Sequence, residues 1–195
     1  MIDVTPYQTR RAMLQTSMGQ GVAIIPTAPE RLRNRDSDYL YRFDSYFYYL
    51  TGFPEPEAVL VLIAGAEPKS LLFCREKHAE RELWEGFRYG PEAARSEFGV
   101  DATYAFGALD EELPKLLANQ TTVYYAPGAD STWDQRVMGW LNQVRAQTRT
   151  GITAPTEIRD VRALLDEMRL IKDGFEIETM RRAADISADA HIRAM

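Results

Sequence analysis

Cysteine is almost missing from this sequence: Cys74 is the only one in 195 residues. That excludes an intrachain disulfide and fits a reducing compartment. Histidine is nearly as scarce, with His78 and His191 alone, so a metal site built around either would need further ligands. There is no excess of positive charge. Lys and Arg number 23 against 29 Asp and Glu, a net charge of −6, which favours neither nucleic acid nor an anionic membrane surface. No apolar run approaches the ~20 residues of a membrane helix, and the opening "MIDVTPYQTRR" has no h-region of a secretory signal. Dinucleotide-binding, P-loop and nucleophile-elbow motifs are absent, as are internal repeats and low-complexity tracts. What is present, 45% hydrophobic and 27% charged residues, is ordinary globular composition, long enough for one domain and part of a second. The expectation is a cytoplasmic α/β protein without nucleic-acid or membrane partners.

Along the chain, "TPYQTRRAMLQTSMGQG" predicts a first helix, capped by Thr5, with Pro6 in its first turn and Gly19 as its stop. "GVAIIP", "EAVLVLIAG", "KSLLFC" and "TTVYYAPG" predict strands, and their continuous apolar character predicts a sheet covered on both faces. The aromatic run "YLYRFDSYFYYLTG" predicts a further strand, turned by "PEPE" into the next one. "ERLRNRDSD" reads as a loop. "PEAARSEFG", "LDEELPKLLAN" with Pro114 inside it, and "STWDQRVMGWLNQVRAQ" capped by Ser131 or Thr132 predict helices. In the last of these, Trp133, Val137, Trp140, Leu141 and Val144 form one stripe. "TRTGITAPTEIRD" reads as a linker. "VRALLDEMRL" is helical, and a capping box from Asp173 to Glu176 opens a final helix that runs to Met195 without a stop signal.

Chemistry is hard to find. His78 and Glu82, four apart, would share a face if both were helical, but the surrounding "HAERE" reads as a solvated charged turn. Cys74 ends an apolar strand and reads as a buried structural thiol. The acids of "DEE" at 110–112 sit at a helix start and suit its dipole. The apolar runs "VAIIP", "AVLVLIA", "SLLFC" and "TVYYA" carry no acid, whereas an enzyme that clusters carboxylates on adjacent strands around two metal ions would need some there. Three features resist this bland account: Asp36 in the charged loop, Arg149 in the linker-like loop, and Trp84 among Gly86, Arg88 and Gly90. An exposed tryptophan beside an arginine is a common anchor at binding rims.

"DSDYLYRFDSYFYYLTGFPEPEAVLVL", "ELWEGFRYG", "FGVDATYAF", "ITAPTEIRDVRALLDEMRLIK" and "EIETMRRAADISADAHIRAM" together, in this order, resemble the N-terminal part of bacterial Xaa-Pro aminopeptidases (aminopeptidase P), relatives of prolidase and creatinase. The resemblance implies a mixed, mostly buried sheet flanked by helices, of ribonuclease H-like type, over residues 1–170. Residues 171–195 are then a linker and the first helix of a pita-bread catalytic domain. It implies no catalytic residue and no metal ligand in this chain, with two manganese ions in the catalytic domain of the full-length enzyme. It also implies a homo-oligomer, and peptide substrates with proline at the second position. Trp84, Asp36 and Arg149 match positions at the rim that limits substrate access, and Trp84 resembles a residue reaching a neighbouring subunit's pocket. The pattern has an aspartate where this chain has His78. The same residues leave room for a stand-alone binding or oligomerisation module, and for the N-terminal domain of a creatinase-like hydrolase.

Overall fold

The computed structural model describes residues 3–195. Helix α1 spans Thr5–Met18, with Val4 at its cap position and Gly19 ending it. The expected cap, Thr5, is instead the first helical residue, and its amide donates to the Asp3 carboxylate at 3.0 Å. Strand β1 (Gly21–Pro26) follows, then a hairpin of β2 (Leu32–Asn34) and β3 (Ser37–Asp38), exposed throughout. That hairpin replaces the expected loop.

The aromatic run is a helix, not a strand: α2 covers Ser45–Thr51. Asp44 caps it, accepting from the amides of Tyr46 at 2.8 Å and Phe47 at 2.9 Å. Gly52 closes it at φ 65° in the left-handed region. The aromatic preference for strands lost here to a complete pair of helix-end signals. The chain then enters β4 (Val59–Ala64) and β5 (Lys69–Cys74), passes through α3 (Ala79–Glu85) and α4 (Gly90–Phe98), and adds β6 (Ala102–Ala105).

Helix α5 (Leu109–Leu117) runs through Pro114, β7 is Thr122–Tyr125, and α6 is Ser131–Arg145. Asp130, one residue before the expected caps, caps α6 by accepting from the Thr132 amide at 2.8 Å. Part of the expected linker is an edge strand, β8 (Glu157–Asp160), paired in parallel with β7. Helices α7 (Val161–Leu170) and α8 (Gly174–Ala194) complete the chain.

The six-stranded sheet has the order β6-β5-β4-β1-β7-β8. Strands β1, β4 and β5 form an antiparallel meander; β6, β7 and β8 each run parallel to a neighbour. Period-2 alternation divides the strand side chains between two cores. Ile25, Leu60, Leu62 and Leu72 pack with Leu14 of α1, Phe47 and Leu50 of α2, Phe98 of α4 and Leu165 of α7. Ile24, Val59, Val61 and Phe73 pack with Leu109 and Leu113 of α5 and Val137, Trp140 and Leu141 of α6. Each such side chain contributes roughly 1.5–3 kcal/mol on burial. The molecule is thus a three-layer α/β/α sandwich, the buried mixed sheet that the resemblance implies.

Candidate functional site

Strands β1 and β5 flank β4 and are both antiparallel to it, so they finish at the same end of the sheet. The β2–β3 hairpin leaves from β1 there, and α3 leaves from β5. Both carry apolar side chains into solvent. Leu32, Tyr39 and Leu40 are exposed on or beside the hairpin, as are Leu83, Trp84 and Phe87 on or beside α3. Apolar tips rimmed by charge, on segments that leave the sheet, are the signature of a contact surface.

Under α3 lies a polar cluster that sequence reasoning missed. Glu55, Arg75 and Arg88 are all buried. Glu55 Oε1 accepts from the Tyr89 amide at 2.7 Å, and its other oxygen, Oε2, lies 3.7 Å from Arg75. Burial pushes the Glu55 carboxyl above its ordinary range, against the lowering pull of the Tyr89 amide and of Arg75 and Arg88. Glu85 pairs with Arg88 and approaches Arg75 at 4.0 Å, and the Arg88 hydrogen bond holds its carboxyl below the usual range. The only signal in the sequence was Glu55 between two prolines, which reads as a solvated turn.

The expected rim residues separate into two groups. Asp36 lies exposed in the turn of the hairpin, its amide bonded to Asn34 Oδ1 at 3.2 Å. Trp84 is 90% exposed on α3. The bases of their two segments are neighbours, since Pro26 at the end of β1 and Phe73 near the end of β5 both lie opposite Val59 of β4. Arg149 is elsewhere. It sits exposed in a 3-10 turn, Thr148–Thr150, just before residue 153, whose carbonyl accepts from the Asn119 amide at 2.8 Å. Asn119 precedes β7, which runs parallel to β1. Arg149 is therefore at the opposite end of the sheet, a strand length or roughly 20 Å away. Within one chain these three residues do not line one rim.

The remaining candidates have structural surroundings. His78 precedes the first turn of α3 at φ −149°, so it shares no helical face with Glu82. His191 Nδ1 lies 2.7 Å from the Ser187 carbonyl one turn back. Burial pushes the Cys74 thiol up to about 12, leaving it protonated and inert. Asp110 accepts from Trp140 Nε1 at 2.8 Å and from Arg136. No three His, Cys, Asp or Glu side chains are grouped to hold a metal among the described residues, so this chain's residues do not fit the manganese pair. No helix among them is long and apolar enough to cross a membrane.

A second feature concerns α8. Its capping box is formed, and buried Arg10 of α1 donates to Asp173 Oδ2 at 2.8 Å while lying over the Tyr49 ring at 4.2 Å. No residue of α8 is buried. Phe175, Met180 and Ile186 are exposed, and a cleft of about 330 Å³ runs between its first turns and α1 and α2.

Fold and site together define an α/β domain that exposes apolar side chains at one end of its sheet. Comparison with known proteins gives the family. Residues 7–124 match the model of the aminopeptidase P, N-terminal domain. The chain is 43% identical over 192 residues to the Xaa-Pro aminopeptidase of Escherichia coli, covering 97% of this chain and 44% of that protein. It is 35% identical to that of Haemophilus influenzae, covering 97% and 42%. Among solved structures, an aminopeptidase from Pseudomonas aeruginosa superposes with a TM-score of 0.95 at 46% identity, over all of this chain and 44% of that one. Zinc-substituted Escherichia coli aminopeptidase P in complex with product gives 0.95 at 42%, over 100% and 45%. The chain belongs to the aminopeptidase P N-terminal domain family, and it spans less than half the length of these relatives.

Proposed function

We propose that this chain is the non-catalytic N-terminal part of a proline-specific metalloaminopeptidase, one that removes the N-terminal residue preceding proline. The observation that carries this is a fold match with a TM-score of 0.95 over the whole chain against 44% of the Pseudomonas aeruginosa enzyme. In this reading residues 1–170 form the domain, and residues 171–195 lead into the catalytic part. Two manganese ions held there would supply the activated water for attack on the Xaa-Pro carbonyl.

This chain's own residues supply walls and assembly contacts. Trp84 and Asp36 present an aromatic face and a carboxylate at one end of the sheet, and Arg149 presents a guanidinium at the other. A homo-oligomer would bring the two ends to one access channel, the Trp84 end of one copy meeting the Arg149 end of another. A proline imide carries no N–H, so a walled channel that orients the peptide suits such a substrate.

The test is hydrolysis of a short Xaa-Pro peptide by the purified 195-residue chain with added manganese, beside the same chain joined to a catalytic part. Turnover only in the joined protein is the expected result. Metal-dependent turnover by the 195 residues alone would overturn the assignment.

A further inference from the structure

Helix α3 turns Leu83 and Trp84 outward and sets Glu82 and the half-exposed Glu85 against the body of the domain, while Glu80 is in solvent. Leu83 and Trp84 are 82% and 90% exposed, and no residue of the helix is buried. The one side chain in it that is not exposed is Glu82. Three residues on, Glu85 lies on the same face and pairs with Arg88 and Arg75, both of them buried. A seven-residue helix has too few backbone bonds to hold itself, and this one gains little from packing. Glu85 is also its last residue, where a carboxylate opposes the helix dipole. Its place is explained by the arginines, not by the helix.

The base of the helix has further unmet hydrogen-bonding capacity. Glu55 Oε2, Arg75 Nε, Glu82 Oε1 and Arg88 Nε are buried without a hydrogen-bond partner. Two arginines and the carboxylates of Glu55 and Glu85 therefore meet where a body–helix contact would ordinarily be apolar. Both arginines converge on one oxygen, Glu85 Oε2, Arg88 by a hydrogen bond and Arg75 at 4.0 Å, and a charge-assisted hydrogen bond of this kind is directional.

We propose that Glu85 is a positioning residue: it clasps α3 to Arg75 and Arg88 and so sets the height and rotation at which Trp84 and Leu83 project from the sheet end. This rests on the reading of Trp84 as a residue of the access rim. The clasp acts through Trp84 and touches no substrate.

Two measurements separate the clasp from the rim. The first is amide exchange on the 195-residue chain. Glu85→Gln, which keeps the shape and removes the charge, should speed exchange over residues 79–85 by about tenfold or more, as local opening without global unfolding does. Strands β1, β4 and β5 and the melting temperature should stay as they were, and Glu85→Asp should restore part of the protection. Unchanged exchange over 79–85 in Glu85→Gln overturns the clasp. The second is kinetics of the full-length enzyme on an Xaa-Pro peptide. Glu85→Gln and Trp84→Ala should lower kcat/KM alike, and the double variant should lose no more than Trp84→Ala alone. Losses that multiply overturn the proposal, since Glu85 would then act independently of Trp84. Faster exchange in Glu85→Gln with an unaltered kcat/KM in Trp84→Ala removes the rim role of Trp84 and leaves the clasp standing.

Discussion

Arg11 shows how much one side chain can fasten. Its guanidinium is buried on α1 and donates to the carbonyls of Leu50 at 2.9 Å, Phe98 at 3.2 Å and Gly99 at 2.6 Å. These are the C-terminal ends of α2 and α4, where orphan carbonyls and the negative pole of each helix favour a cation. Burial lowers its pKa to about 10, which still leaves it charged at neutral pH. Arg11→Met removes all three donors and should cost on the order of 3 kcal/mol, read as a lower urea midpoint. Cys74 and Tyr7 give a pH dependence. Burial raises both to about 12, from 9.0 and 10.0. Each folded pKa lies above the unfolded one, so their contribution is whole below the unfolded values and is lost as pH rises towards 12. The urea midpoint should therefore fall on the alkaline side, and Cys74→Ala should flatten the first part of that fall. A midpoint level through this range would contradict the burial argument. At neutral pH, Cys74 should resist a thiol reagent until the chain unfolds.

At the scale of elements, α2 shows what a propensity argument leaves out. Six aromatics from Tyr41 to Tyr49 read as a strand, yet Asp44 and Gly52 bracket seven residues as a cap and a stop. Asp44→Ala should cost about 1–2 kcal/mol. Gly52→Ala should cost more. A methyl there would sit 2.7 Å from Tyr7 Cζ, with the backbone at φ +65°; a thermal melt of both variants gives the order.

The four central strands were legible because continuous apolar runs have few other homes. So were α1, α4, α5, α6 and the capping box of α8, whose periodic and terminal residues agree. The charged edge strand β8 was not, since Glu157, Arg159 and Asp160 look like a loop until a neighbour supplies the ladder. Nor was the cluster of Glu55, Arg75 and Arg88: scattered charges become one site only when a sheet end gathers them. Trp84 stood out in the sequence by its flanking glycines, whereas the separation of Arg149 from it is a property of topology.

On the scale of the whole molecule, most of the large apolar side chains left in solvent lie on the β2–β3 hairpin, around α3, at the α7–α8 junction and on α8. Removing them should leave the fold intact. Leu83→Ser with Trp84→Ser should change stability by no more than about 0.5 kcal/mol, because neither side chain is covered in this chain. In the full-length enzyme the same pair should weaken association, visible as a later elution on size exclusion, if Trp84 meets a second copy. An unchanged elution volume would assign Trp84 to its own subunit.

The last strand of the sheet bears on how such copies could meet. All four residues of β8 are exposed, and Arg159 is tied to Glu157 at 2.7 Å. A strand from another molecule, laid alongside, would have to desolvate three charges within four residues. Growth of the sheet from one molecule into the next is discouraged at this border. Whatever comes to lie beside β8, the hydrogen-bonded ladder at this border remains the molecule's own.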